Sequence, residues 1–142
     1  LEQVKVSARC RIGVVVARLV SPIAHGDCVR SVAYSPTGAY IASGGHDEDK
    51  QLKLFAATTG QLLDSVAHPD AVTTLCFAPD DRAVTGCWDT AVRIFAISAE
   101  KKLEKLMELR GHKDTVYSVA ASPDSAFVAS EAHAIPRDAL RG

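Results

Sequence analysis

Cys76 and Cys87 lie near His68 in the chain, a grouping that suits a thiolate nucleophile beside an imidazole base. Cys76, however, stands between Leu75 and Phe77 in an alternating apolar stretch, where a side chain packed into a core is the better account. The acidic run His46-Asp47-Glu48-Asp49 carries carboxylates enough to meet a cation, yet it reads better as a solvated turn. The four cysteines (Cys10, Cys28, Cys76 and Cys87) form no C-x-x-C pair and show no zinc spacing, and buried thiols in a reducing compartment account for them. No G-x-S-x-G elbow, P-loop, G-x-G-x-x-G or H-E-x-x-H motif is present in the sequence. Lys101, Lys102 and Lys105 alternate with Glu100 and Glu104, which makes a charged exposed edge. These residues point to no catalytic group, no metal site and no cofactor.

Composition agrees with a structural role. Hydrophobic residues make up 47% of the 142, enough to supply a core. Lys and Arg number 16 against 17 Asp and Glu, so the basic excess of a general polyanion binder is missing. No apolar run reaches the roughly 18 to 20 residues of a membrane helix. Ile12 to Val20 is short and interrupted by Arg18, and its β-branched residues favour a strand over a signal peptide. A start at Leu1 in place of Met suggests an excerpt.

The elements come from an internal repeat. His25, His68 and His112 are 43 and 44 residues apart. Each is followed four residues later by Val29, Val72 or Val116, and eleven residues later by Pro36, Pro79 or Pro123. Between these marks lie the alternating stretches VRSVAYSP, VTTLCFAP and VYSVAASP, and LKLFA and VRIFA close the first two units. Each whole unit reads as a four-stranded antiparallel meander. The first has strands at Val29 to Tyr34, Tyr40 to Gly44, Leu52 to Ala56 and Leu62 to Ala67. The second has Val72 to Phe77, Arg82 to Cys87, Ala91 to Ala96 and Leu103 to Leu109, and the third offers Val116 to Ala121 and Ala126 to Ser130. With Val14 to Val20 this makes about eleven strands. AEKKLEKLMEL, residues 99 to 109, is rich in helix formers, but it occupies the fourth-strand slot, and the repeat takes precedence over local propensity.

A His before strand one, S-P-x-G, A-S-G-G and a closing L-K-L-F, repeated over roughly residues 20 to 130, resemble the WD-repeat β-propeller family. The resemblance implies an all-β fold: a partial β-propeller of four-stranded antiparallel blades, about two and a half of them, unclosed. The divisions are 1–13 unassigned, 14–24 a candidate last strand of a preceding blade, 25–67 and 68–111 whole repeats, 112–130 a truncated repeat, and 131–142 an unassigned tail. In the family a His, a Ser or Thr, a turn Asp and a Trp form a buried hydrogen-bonded chain in each blade. The matching positions are His25, Ser43 and Asp47, with Asp49 the alternative because of a two-residue insertion, then His68, Thr85 and Asp89, then His112 and Ser130. Phe55 and Phe95 replace the Trp and cannot donate as an indole does, so the chain ends at the hydroxyl.

By the same resemblance, partners bind on the face of the loops before strand one and between strands two and three. Its exposed positions map to Cys28 and Arg30, to Ala71 and Thr73, to Thr115 and Tyr117, and to His46 (or Glu48) and Trp88. Trp88 sits in a turn before Asp89, where an aromatic suits an interaction hot spot, the alternative being packing against the next blade's loop. The implied function is a non-catalytic protein-protein interaction scaffold in a multi-subunit complex. The alternative is a reader of a modified peptide, a charged small ligand or RNA on the same face. Expected partners are proteins or peptides, with nucleic acid disfavoured and no membrane. Remaining blades of a longer chain, or self-association, are expected to cover the open edges. The expected setting is cytoplasmic, with the nucleus also open.

Overall fold

The computed structural model describes residues 28–46 and 48–132. Ten strands fall in them: β1 (Val29–Tyr34), β2 (Tyr40–Gly45), β3 (Gln51–Ala56), β4 (Leu62–Ala67), β5 (Val72–Phe77), β6 (Ala83–Cys87), β7 (Val92–Ile97), β8 (Leu103–Leu109), β9 (Val116–Ala121) and β10 (Val128–Ala132). They form antiparallel sheets β1-β2-β3-β4, β5-β6-β7-β8 and β9-β10. The architecture is all-β and unclosed among the described residues. The strand expected at Val14 to Val20 lies outside them.

Local chemistry explains the meander. In each first hairpin a Pro-containing turn is closed by the amides of Gly38, Asp81 and Ser125, which donate to the carbonyls of Ser35, Ala78 and Ser122 at 2.9, 3.0 and 3.0 Å. All three residues take a positive φ, of 72°, 62° and 59°, so the turn imposes the conformation whether or not glycine is there. The first and third of these turns extend alike, the Ser35 and Ser122 amides donating to the Tyr40 and Phe127 carbonyls at 2.9 Å, and β10 begins at Val128 in place of the expected Ala126 and ends at Ala132. The helix-rich stretch is strand β8, in ladder with β7 from Ile97↔Leu103 to Val92↔Leu109. A tight turn with Lys101 at φ 60° starts it, and pairing with β7 satisfies the backbone that a helix would have satisfied alone.

The middle strands β2, β3, β6 and β7 are buried along most of their length, whereas β8 is exposed except at Leu103 and, in part, Glu108. The reason is that the sheets stack face to face, β1 against β5 and β5 against β9. Leu52, Leu54 and Ala42 of the first sheet meet Leu75, Ala83, Phe95 and Leu103 of the second in one core. Val84, Val92 and Ile94, on the opposite face of the second sheet, meet Val116 and Val119 of the third. Polar groups span the same seams at repeat spacing. Thr37 donates its hydroxyl to Asp81 at 2.7 Å, the Leu75 amide donates to the Ser31 hydroxyl at 3.1 Å, and Arg82 donates to the Ser125 carbonyl at 2.8 Å.

Two glycines set the spacing. A Cβ on Gly44 would stand 2.7 Å from Cγ1 of Val72, and one on Gly86 would stand 2.6 Å from Thr74 Cγ2 and 2.7 Å from Val116 Cγ1. Each sheet thus leaves a notch for the first-strand valine of the next. Gly86→Val is expected to overpack this seam and lower the unfolding free energy by about 1–3 kcal/mol. Gly111 is the control, since a Cβ there would meet nothing within 4 Å, and Gly111→Ala is expected to stay within about 0.5 kcal/mol. Urea midpoints of the two variants check this, and equal midpoints would contradict the notch.

Candidate functional site

Three loop and strand-end side chains gather where the first and second sheets meet. The His46 amide donates to the Cys28 carbonyl at 2.9 Å, and the Trp88 amide donates to the Ala71 carbonyl at 3.0 Å. These are equivalent bonds one repeat apart, so His46 and Trp88 hold corresponding places, each just past its second strand. The two rings meet edge to face, with centroids 5.0 Å apart and planes at 79°. Arg30, exposed near the start of β1, donates from its guanidinium to His46 Nε2 at 3.0 Å. Because a guanidinium has no lone pair to offer, Nε2 accepts and Nδ1 carries the imidazole proton. The cluster joins cation, imidazole and indole across a blade boundary, each at least partly accessible.

The other expected face residues are placed differently. Thr73 turns its hydroxyl inward, donating to the Gly86 carbonyl at 3.1 Å and to the Val116 carbonyl, so it staples the second sheet to the third. Cys28 is half-buried, and its carbonyl is taken by His46. Thr115 and Tyr117 are half-buried at the third sheet, Thr115 with its amide on the Asp114 carboxylate at 2.7 Å. The structure does not bring them to Trp88 through any bond.

Beneath the face lies the polar interior of the second sheet. His68 Nδ1 is 3.3 Å from the Val66 carbonyl, which can only accept, so Nε2 offers its lone pair to the Thr85 hydroxyl at 3.0 Å. Burial holds the His68 pKa down to about 4 against the modest pull of the Val66 bond. Phe95, where the family has Trp, packs its ring on His68 at 5.6 Å. In the third sheet His112 Nε2 and the Ser130 hydroxyl are 2.7 Å apart. Ser43 is buried in the first sheet, while His25 and Asp47 lie outside the described residues.

Asp89 bonds not to this His–Thr pair but to Arg93, a residue the sequence reasoning missed. Arg93 Nη1 donates to Asp89 Oδ1 at 3.0 Å, its Nη2 donates to Oδ2, and its Nε donates to Glu108 at 3.0 Å. Burial opposes the Asp89 charge, but bonds from Arg93, Cys87 and the Ala91 amide prevail and bring its pKa to about 2. In the first sheet Lys53 stands 3.4 Å from Asp49 at the same four-residue spacing, which makes Asp49 the counterpart of Asp89 there. The insertion is therefore taken up between His46 and Asp49. The signal was present in the sequence: L-K-L-F and V-R-I-F each carry a cation four residues after an Asp.

Cys76 and Cys87 show no activation. Burial pushes the Cys87 thiol up to about 11 and raises Cys76 as well, the reverse of what a thiolate nucleophile needs. Among the described residues, no three His, Cys, Asp or Glu are grouped to hold a metal ion. No described helix is long and apolar enough to cross a membrane.

The WD domain, G-beta repeat family matches residues 17–55, 60–95 and 103–132. The chain belongs to the WD-repeat family. It is 29% identical to cell division cycle 20.1, cofactor of APC complex, from Arabidopsis thaliana, over 76% of this chain and 24% of that protein. It is 31% identical to a ribosome biogenesis protein BOP1 homolog from Drosophila grimshawi, over 75% of this chain and 13% of that one. A match to the human WD repeat and SOCS box-containing protein 1 is 36% identical over 56% of this chain and 19% of that protein. The WD-repeat chain also resembles a chain in the crystal structure of the mitotic checkpoint complex, with a TM-score of 0.65, 27% identity, and 73% of this chain and 33% of that one covered. It spans about a quarter of the length of the cell-division relatives it matches.

Proposed function

We propose that this WD-repeat chain is a portion of a propeller that docks protein partners within a multi-subunit complex and does no catalysis of its own. The observation that carries the reading is the Arg30–His46–Trp88 cluster, which places an aromatic on a loop and a cation near a strand end at a blade boundary. Trp and Arg are the residue types that dominate binding energy at interfaces, and a rigid strand scaffold holds them at low entropic cost. The roles of the relatives support a complex-forming part: a cofactor of the APC complex, and a chain in a checkpoint complex. They also support a setting in the cytoplasm or nucleus.

Trp88→Ala is the direct test. It is expected to weaken partner binding by about 2 kcal/mol, roughly thirtyfold in Kd, with the melting temperature unchanged. Affinity purification followed by titration of the recovered protein measures this. Unaltered binding would remove Trp88 from the site. If the recovered species is RNA whose retention collapses as salt rises, the docking reading gives way to a nucleic-acid one.

A further inference from the structure

Among the described residues Arg82, Arg93 and Arg110 each reach a carboxylate: Asp80 at 2.6 Å, Asp89 together with Glu108, and Glu108. Arg30 does not. Its exposed guanidinium donates to His46 Nε2 at 3.0 Å, and no described carboxylate pairs with it. The acids on the neighbouring loops have other partners. Asp49 meets Lys53 at 3.4 Å, Asp70 holds the Ala71 amide at 2.8 Å and Lys50 at 3.9 Å, Asp89 holds Arg93, and Asp114 holds the Thr115 amide at 2.7 Å. A neutral imidazole fixes the direction of a guanidinium without cancelling its charge, and it leaves the rest of the five-donor fork for a further acceptor.

The direction of Arg30 is set by its place in the repeat. Arg30 and Thr73 each follow a first-strand valine, Val29 or Val72, and Thr73 turns to the Val116 carbonyl of the next sheet. Arg30 likewise turns toward the second sheet, where Trp88 lies beyond His46 with ring centroids 5.0 Å apart. Both sheets that meet at the site are whole four-stranded meanders, so cation, imidazole and indole are held by β1, β2 and β6 within them.

Resting on the reading of this face as a docking surface, we propose that its partner is an acidic protein segment, with one Asp or Glu carboxylate on the Arg30 fork and an apolar side chain against Trp88. A planar fork matches a carboxylate with two parallel bonds, and a cation held in place beforehand loses little freedom on binding. Side chains that share a face of an extended segment stand roughly 7 Å apart, a step of the size that separates a guanidinium and an indole joined through one imidazole. A phosphate is the poorer match, because phospho-residues are taken by clusters of arginines, and Arg82, Arg93 and Arg110 are already paired with carboxylates.

Trp88 is the single tryptophan of the sequence, so its fluorescence and its indole N–H resonance report on this site alone. The test titrates the 142-residue chain at low salt with acetyl-SLSESLS-amide, whose leucines share a face with the glutamate on either side. The same peptide with Gln, Lys or phosphoserine in place of Glu is titrated beside it. The expected result is a saturable Trp88 response, with the Glu peptide bound at least about tenfold more tightly than the Gln peptide. In an Arg30→Gln chain that keeps the parent melting temperature, this preference is expected to fall below about twofold. Arg30→Lys, a charge without the fork, is expected to keep part of it. The comparison of Glu with Gln peptides uses the unaltered chain, so it stands whatever the variants do to the fold. Equal affinity for those two, tighter binding of the Lys or phosphoserine peptide, or a preference that survives Arg30→Gln each overturns the proposal. Equal affinities with Trp88 still responding leave the docking reading in place. Silence from every peptide also overturns the acidic partner, and Trp88→Ala then decides the docking reading by itself.

Discussion

Arg93→Met is expected to lower the unfolding free energy by about 3 kcal/mol, at the low end of what breaking a buried ion pair costs. The Arg93 side chain is 5% exposed and its planar fork answers two carboxylates at once, Asp89 on the turn and Glu108 on β8. Removing it leaves Asp89, 15% exposed, as a charge short of both water and counter-ion. The low end applies because Glu108, 24% exposed, recovers solvent. Arg93→Lys keeps a charge but not the fork, and is expected to lose about 1 kcal/mol. Urea unfolding of the three proteins measures both differences. A methionine variant as stable as the parent would show that the triad holds nothing together.

Acidification is expected to remove a similar amount through His68. Its folded pKa of about 4 lies below the ordinary value of 6.5, so between those values the unfolded chain binds the proton and the folded one does not. The His68 contribution is therefore fully present above pH 6.5, falls as pH drops, and is gone near pH 4, a loss of about 3 kcal/mol. Asp89, with its pKa at about 2 against 3.8, has the same sense of effect in the next window: its contribution is present above pH 3.8 and lost as pH falls through 2. Denaturant midpoints from pH 7 to 4 show the first phase. His68→Gln, which can still meet Thr85, is expected to flatten that phase and leave the lower one. An unchanged slope in the variant would mean that other groups govern it.

Much of the fold was legible because the repeat carries redundant marks. Three histidines, three valines and three prolines at matched offsets locate every first strand, and the first and last residues of β1, β4, β5, β8 and β9 fall where the spacing predicts. Repeat position also outweighed composition at residues 99–109, where helix formers line an edge strand. The site was legible in outline only. Trp88 could be singled out by type and turn position, but its contact with His46 depends on two loops 42 residues apart, a distance that no local pattern encodes. The choice between Asp47 and Asp49 needed the Lys53 contact, since an insertion shifts numbering without saying where the extra residues bulge. Thr73 shows the opposite failure: the family resemblance puts it on the exposed face, while the next sheet brings a carbonyl within reach of its hydroxyl.

The bonds between sheets recur with the repeat, each reaching only the adjacent sheet: Ser31 to Leu75, Thr37 to Asp81, Arg82 to Ser125. Cohesion in such a stack is a nearest-neighbour quantity, like coupling along a one-dimensional lattice. The second sheet, held from both sides, is then the anchor from which order spreads, and a sequence change at one seam is felt by two sheets and screened from those beyond. Loops on one blade are thereby at liberty to diversify while the register of the rest is kept.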